Sequence, residues 1–423
     1  MIHDMTAYQS PLGHILERHA SRAVTTALSD TRVVLVNGAR QCGKSTLVAE
    51  LAEGMGAHWF SLDRADTLQA AQRDPSAFVR AANPMVIDEI QRAPELLLAI
   101  KEVVDASFEP GRFLLTGSAR VLGLRALPDT LPGRMETIEL WPLSQGEIGQ
   151  RPDGFVDAVF RDGDAINHRS LESRAGYIAR IVRGGFPEAV ARQDVRRTRF
   201  LESYVADMVN RDVMQLSTVQ YGRQLRQLIT LLAGRAGQIL NTSNVAAAMG
   251  LPRNTVERYL ALLEEVFLIK RIPAWSRGAT TRATNAPKLA FVDSGVAAAM
   301  IGQDETSLGR ITSDLGGLLE SFAAMEIARQ LTWCGQTVEL FHYRTRDQVE
   351  VDIVLQNRRG QVVGIEVKAS TTAADGDFAG LRHLQARLGD DMLAGLVLYL
   401  GEQTLPFGDG LRAVPLSALW ECV

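Results

Sequence analysis

"RVVLVNGARQCGKSTLVAE", residues 32–50, sets a short apolar run directly before a glycine-rich loop and a helix-like segment. The run Val33–Val36 has no polar interruption, which predicts a strand buried on both faces. From Gly38 to Ser45 the loop fits G-x-x-x-x-G-K-[S/T], in the strand-to-helix setting that gives this motif its specificity. A loop of this shape turns successive backbone N–H groups toward one point, and the following helix N-terminus adds positive potential there. Gly38, Ala39, Arg40, Gln41, Cys42, Gly43, Lys44, Ser45 and Thr46 are therefore the expected ATP-binding set. Lys44 is expected to reach the β- and γ-phosphates, and Ser45 to give one oxygen to Mg²⁺.

Composition bounds what surrounds this loop. A chain of 423 residues has room for roughly three domains. Hydrophobic content of 46% with 22% charged residues describes a globular protein and excludes a disordered one. No apolar run reaches about 18 residues, and "MIHDMTAYQSPLGHILERHA" at the N-terminus lacks the hydrophobic segment of a signal peptide. The expectation is a cytoplasmic protein with no membrane association. Cys42, Cys334 and Cys422 are widely scattered, which excludes a disulfide scaffold and offers no zinc spacing. The formal net charge is −4, yet residues 190–290 hold 15 Lys and Arg against 7 Asp and Glu. A basic middle between acidic ends suits either DNA or docking onto the acidic parts of the chain itself.

"PMVIDEIQ" (84–91) reads as a second buried strand ending in two acids. Asp88 is the expected Mg²⁺-side carboxylate and Glu89 the base that polarises the attacking water. "RFLLTGSAR" (112–120) is expected to end at the same sheet edge, placing Ser118 near the γ-phosphate or in a capping role. Pro132 and Gly133 put Arg134 on a loop before another strand. Arg134 is a candidate arginine finger, for its own or a neighbouring subunit's phosphate, with a structural ion pair as the rival reading.

Together the phosphate loop, "VIDEIQ", "LLTGSAR" and "LPGRMETIELWPLS" resemble the bacterial and archaeal AAA-superfamily ATPases that carry a C-terminal domain of unknown function with a restriction-endonuclease-like core. "GGFPEAV" (184–190), "YVADMVNRDV" (204–213) and "KLAFVDSGVAAAM" (288–300) extend the resemblance to nearly the whole chain. One departure is that no second sensor arginine stands out after residue 150.

From Leu225 the sequence reads helix, helix, turn, helix and apolar strand "FLIKRI", the order of a winged helix-turn-helix. Asn244 and Asn254 are expected N-caps and Gly250 a C-cap. The third helix would expose Arg253, Thr255, Glu257 and Arg258, and the wing would bear Arg277, Arg282 and Lys288, for contact with DNA or for packing against the nucleotide domain or a protein.

In the C-terminal third, "QVEVDIVLQ" and "QVVGIEVKAS" alternate like strands around "NRRG". A hairpin folded about Arg359 sets Asp352 opposite Glu366, and Glu366 and Lys368 share a sheet face. Asp352 and Glu366 suit a hard divalent ion, Mg²⁺ or Mn²⁺, and Lys368 could orient water or stabilise a pentacovalent phosphate. This resembles the PD-(D/E)xK nuclease core, which implies Glu320 as the helix acid; Glu326 competes for that place. Val351 stands where the signature often has proline.

The expected fold is α/β, with a P-loop parallel-sheet ATPase domain (1–150), a helical lid or linker (151–220), a winged-helix-like domain (221–300) and a restriction-endonuclease-like domain (301–423). Two functional readings stand at this point. In one, ATP controls a metal-dependent nuclease acting on DNA. In the other, the chain is an ATP-dependent switch that binds a protein partner or a second copy of itself, with a nuclease-like domain that cuts nothing.

Overall fold

The strand Val33–Asn37 (β1) is buried at every position, as a central parallel strand must be when helices cover both faces. In the computed structural model, which describes residues 10–118, 131–210, 222–276, 286–310 and 315–423, β1 is flanked by two parallel neighbours. The full sheet has the order β2-β3-β4-β1-β5, with β2 His58–Ser61, β3 Met85–Asp88, β4 Phe113–Gly117 and β5 Met135–Glu139, all parallel. Alternation along β1 divides the core. Val34 and Val36 pack with helices Ala20–Asp30 and Lys44–Met55, whereas Val33 and Leu35 pack with Leu96–Ala106.

The middle is helical. Helices Gly222–Ala233, Thr242–Met249 and Arg253–Glu265 lead into a two-stranded antiparallel ribbon, β6 Ile269–Ile272 with β7 Lys288–Phe291. The element order is three helices followed by a two-stranded ribbon, and the caps differ from those expected. Asn241, three residues earlier than expected, accepts the N–H of Asn244 at 3.0 Å, and the third helix starts after Pro252 rather than at Asn254. Gly250 closes the second helix in a left-handed conformation, as expected. Arg277 and Arg282 lie outside the described residues.

A third unit follows from the buried helix Leu315–Gln330. Its strands β8 Val338–Arg344, β9 Glu350–Asn357, β10 Val362–Lys368, β11 Met392–Tyr399, β12 Leu405–Pro406 and β13 Leu411–Pro415 form a mixed sheet in the order β12-β13-β11-β10-β9-β8. Helix Ala379–Leu388 crosses between β10 and β11, which run parallel. No helix among the described residues is long and apolar enough to cross a membrane.

These units share one core. A continuous cluster of buried side chains runs from Ala20 through Tyr177, Leu228 and Val296 to Trp420. Polar joints reinforce it. The chain leaving β5 is buried, and its backbone finds partners on the Leu315–Gln330 helix: Glu326 accepts the Gln145 N–H at 2.9 Å, Arg329 donates to Pro142 O at 2.9 Å, and Gln330 accepts the Val156 N–H at 3.0 Å. Arg329 also bridges to Glu326 at 2.7 Å and donates to Val292 O at 3.0 Å.

Replacing Glu326 with Ala removes one member of a buried, hydrogen-bonded ion pair. The expected loss is about 3–5 kcal/mol of unfolding free energy by denaturant titration. Glu326→Ala combined with Arg329→Met should recover part of that loss. Asp153 supplies a pH test: burial, then the charges of Glu326 and Glu147, push its carboxyl up to about 8, against the pull of the Ser144 hydroxyl and Arg329. An acid raised in the folded state keeps its proton while the unfolded chain releases it, so this contribution is complete below about pH 4 and is lost as pH rises through about 8. Asp153→Asn should flatten that decline in a series of thermal melts.

Candidate functional site

The C-terminal edge of the first sheet gathers the loop after β1 and the ends of β3 and β4. Gly38 enters the loop with its N–H on Gly117 O at 3.2 Å, and a Cβ built there would lie 2.0 Å from Leu140 O, so only glycine fits. Gln41 and Gly43 take positive φ, which curls the loop before the helix begins at Lys44. Ala39 and Cys42 are buried; the Cys42 thiol donates to Leu140 O at 3.3 Å, the position of a packing residue. Lys44 is buried, its Nζ donating to Ala39 O at 2.8 Å and Gly38 O at 3.1 Å inside the curl.

Asp88 ends β3 and Glu89 follows it, and their side chains take different partners. Ser45 Oγ donates to Asp88 Oδ1 at 3.1 Å, and Thr116 Oγ1 donates to the same oxygen at 2.5 Å. Burial pushes the Asp88 carboxyl up, with Glu89 adding to the effect and Thr116, Ser45 and Lys44 opposing it. Glu89 turns away in a left-handed backbone conformation (φ 61°), costly for a non-glycine residue and of a kind that collects at functional sites. Its amide donates to Thr116 Oγ1 at 2.9 Å, and its Oε2 accepts from Ser118 Oγ at 3.0 Å. Gln91 Nε2 donates to both Ser118 Oγ, at 2.8 Å, and Glu89 Oε2. The structure thus joins Ser118 to Glu89 and adds Gln91, to which sequence reasoning assigns no role.

Arg18 is a second residue that motif reading misses. Its buried guanidinium donates to Cys42 O at 2.8 Å, Trp141 O at 2.7 Å and Glu147 Oε1 at 3.0 Å. It lies twenty positions before Gly38 with no local signature, so only the tertiary structure reveals it. Beside the loop opens a cleft of about 360 Å³, with Lys44, Ser45, Thr46 and Glu89 on its polar side and Leu12, Ile15, Leu16, Leu143 and Pro187 on its apolar side. The donor set, the shape and the apolar wall fit ATP with Mg²⁺.

Arg134 does not join this site. It precedes β5, its carbonyl accepting the N–H of Val33 at the start of β1, so a five-residue strand, roughly 16 Å by its rise, separates it from its own phosphate loop. Its side chain pairs with Asp105. The expectation that it might serve its own phosphate is therefore corrected.

The second constellation forms in the C-terminal sheet. β9 and β10 pair from Gln356–Val362 to Ile353–Ile365, and Asp352 and Glu366 are the next residues beyond that paired stretch. Lys368 Nζ donates to Glu366 Oε2 at 2.7 Å. Burial and then the Asp352 charge push Glu366 up to about 8, and the same two causes push Glu320 up to about 7. Of the two competing helix acids, Glu320 faces this cluster and Glu326 belongs to the joint with the ATPase sheet.

Lys288 corrects a further expectation. Instead of facing DNA from the wing, it is buried, with Nζ 2.7 Å from Asp352 Oδ1 and 2.8 Å from Glu320 Oε2. Among the described residues no group of three or more His, Cys, Asp or Glu is arranged to hold a metal ion. On the third helix of the middle unit, Arg253 and Arg258 are exposed, whereas Thr255 and Glu257, also expected at the surface, are half-buried, with Arg253 4.0 Å from Glu257.

Residues 30–149 match a family model described as AAA domain. Residues 174–307 and 315–419 match two models, each described as a domain of unknown function (DUF8612 and DUF4143). An uncharacterized protein of Mycobacterium tuberculosis is 26% identical over 425 residues, covering 99% of this chain and 88% of its own length. Another, from Haemophilus influenzae, is 26% identical over 316 residues, covering 73% and 72%. Among solved structures, the Walker-type ATPase of Pyrococcus abyssi matches with a TM-score of 0.41 at 16% identity, over 71% of this chain and 99% of that one. The chain thus carries an ATP-binding AAA P-loop ATPase domain followed by two domains of unknown function, and is homologous over nearly its whole length to the mycobacterial protein.

Proposed function

We propose that this chain is an ATP-hydrolysing switch, in which nucleotide state at the phosphate loop is passed to the middle and C-terminal units. The observation that carries the reading is the contact path beginning at the loop itself: Arg18 holds Cys42 O and Glu147, Glu147 accepts the Ser144 N–H, and neighbouring Gln145 is held by Glu326. A shift of the loop on binding phosphate strains the same polar joint that fixes the Leu315–Gln330 helix. The division into residues 1–150, 151–220, 221–300 and 301–423 is part of this proposal, the last two units being the responding ones.

At the nucleotide site, Lys44 exchanges its carbonyl partners for β- and γ-phosphate oxygens, and backbone N–H groups of residues 38–46 cradle the phosphates. Ser45 and Asp88 would hold a Mg²⁺, whose chemistry there would be to neutralise charge on the phosphate. Glu89 accepts a hydrogen bond from the attacking water, while Ser118 and Gln91 orient its carboxylate. Leu12, Ile15 and Pro187 offer apolar contact for the base. Arg134 can reach only the phosphate of a neighbouring copy, so a finger role for it requires an oligomer.

A second reading concerns the partner. The exposed Arg253 and Arg258, in the first half of a helix that follows a helix-turn-helix order, favour DNA over a protein. ATP turnover stimulated by duplex DNA at low salt, and no longer stimulated in Arg253→Ala/Arg258→Ala, would establish it. Unchanged turnover with every DNA tested would leave the protein-binding switch.

Lys44→Ala is expected to abolish phosphate release and weaken binding of a fluorescent ATP analogue. Glu89→Gln should keep binding and slow turnover by about 10²-fold or more. Full turnover by Lys44→Ala would sink the assignment. ATP should also change amide-hydrogen exchange in residues 315–330, and Arg18→Ala should remove that response; identical exchange with and without ATP in the parent would refute the switch.

A further inference from the structure

The cation among the C-terminal carboxylates is supplied by the chain. Lys288 opens β7 of the middle unit, where its strand pairs with β6 and Leu289 donates to Gln238 O at 2.9 Å. Its position is therefore set by the middle unit, yet its ammonium sits among acids of the C-terminal one. It donates to Asp352 Oδ1 at 2.7 Å and lies 2.8 Å from Glu320 Oε2. The other Asp352 oxygen accepts the N–H of Val367 at 3.0 Å, and Glu366 Oε2 is taken by Lys368.

A divalent ion bound by hard oxygens needs lone pairs of two or three of these acids at about 2.0–2.6 Å. Here the lone pairs that converge between Asp352 and Glu320 already converge on an ammonium. A metal ion in the same volume would stand within a few ångströms of a buried positive charge. The residues present do not fit the metal that the acid-acid-lysine pattern calls for.

We propose that Lys288 is the resident cation of this pocket, so that Glu320 and Asp352 form with it a metal-free ionic clasp between β7 and the C-terminal unit instead of a phosphodiester-cleaving centre. The proposal deepens the switch reading above and rests on it for the purpose of the clasp. The clasp links three elements at once: β7, the helix that bears Glu320, and β9 that bears Asp352. Burying a lysine is costly unless it is paired, so two acids fix its place firmly, and removing either side leaves an uncompensated charge.

The test is Mn²⁺ uptake by the full-length, nucleotide-free chain, followed by the loss of the free-ion electron paramagnetic resonance signal. The parent and Asp352→Asn should bind Mn²⁺ alike. Lys288→Ala should gain one site per chain, and Lys288→Ala/Asp352→Asn should lose it again. Parent Mn²⁺ binding that disappears in Asp352→Asn, or metal-dependent DNA cleavage by the parent that disappears in that variant, would overturn the clasp. Should Lys288→Ala fold poorly, thermal melts decide: Lys288→Met is expected to lower the melting temperature by several degrees and Lys288→Met/Asp352→Asn to restore much of it. Additive losses in the double variant would count against the clasp. ATP turnover is recorded on the same samples. A parent without turnover would defeat the ATPase reading while leaving the Mn²⁺ comparison to decide this one.

Discussion

The structure depends on how the chain leaving β5 satisfies its buried backbone. A sheet's last strand normally hands over to solvent, where water takes the free N–H and C=O groups. Here residues 140–147 and 153–156 pass beneath other units, and every unpaired polar group there would cost about 1–3 kcal/mol. Leu143 N–H is accepted by Gly185 O, Gln145 N–H by Glu326 and Val156 N–H by Gln330, while Pro142 O receives Arg329. Partners therefore come from the helical segment and from the C-terminal helix. The ATPase sheet is complete only with residues far along the chain around it.

That arrangement explains why local patterns could be read from the sequence while the joints between units could not. The phosphate loop, the acids after β3 and the hairpin that carries Asp352 and Glu366 are local or near-local patterns, each fixed by a strand period and a turn. They were legible because spacing alone determines them. Arg18, Gln91 and the true partners of Glu326 were not, because each acts across a sequence gap or through a side-chain contact that has no period.

Lys288 shows the same limit more sharply. Its basic neighbourhood and its place after a helix-turn-helix made a solvent-facing wing residue the natural expectation. The competing fact was three-dimensional: two acids needing a counter-charge lie 32 and 64 residues away, on a helix and a strand of another unit. Local charge counts cannot see that a lysine is spent internally. Arg253 and Arg258, from the same basic stretch, did remain at the surface.

The Leu315–Gln330 helix carries Glu320 at one face of its second turn and Glu326 less than two turns later, about 9 Å along the axis. One rigid rod thus bears both an acid that faces Lys288 and an acid that holds the ATPase sheet. An excised fragment beginning near residue 301 would keep Glu320, Asp352, Glu366 and Lys368 but leave Lys288 behind. Such a fragment would present an open acidic pocket that the intact chain keeps closed, so metal affinity measured on it would describe the cut and not the protein.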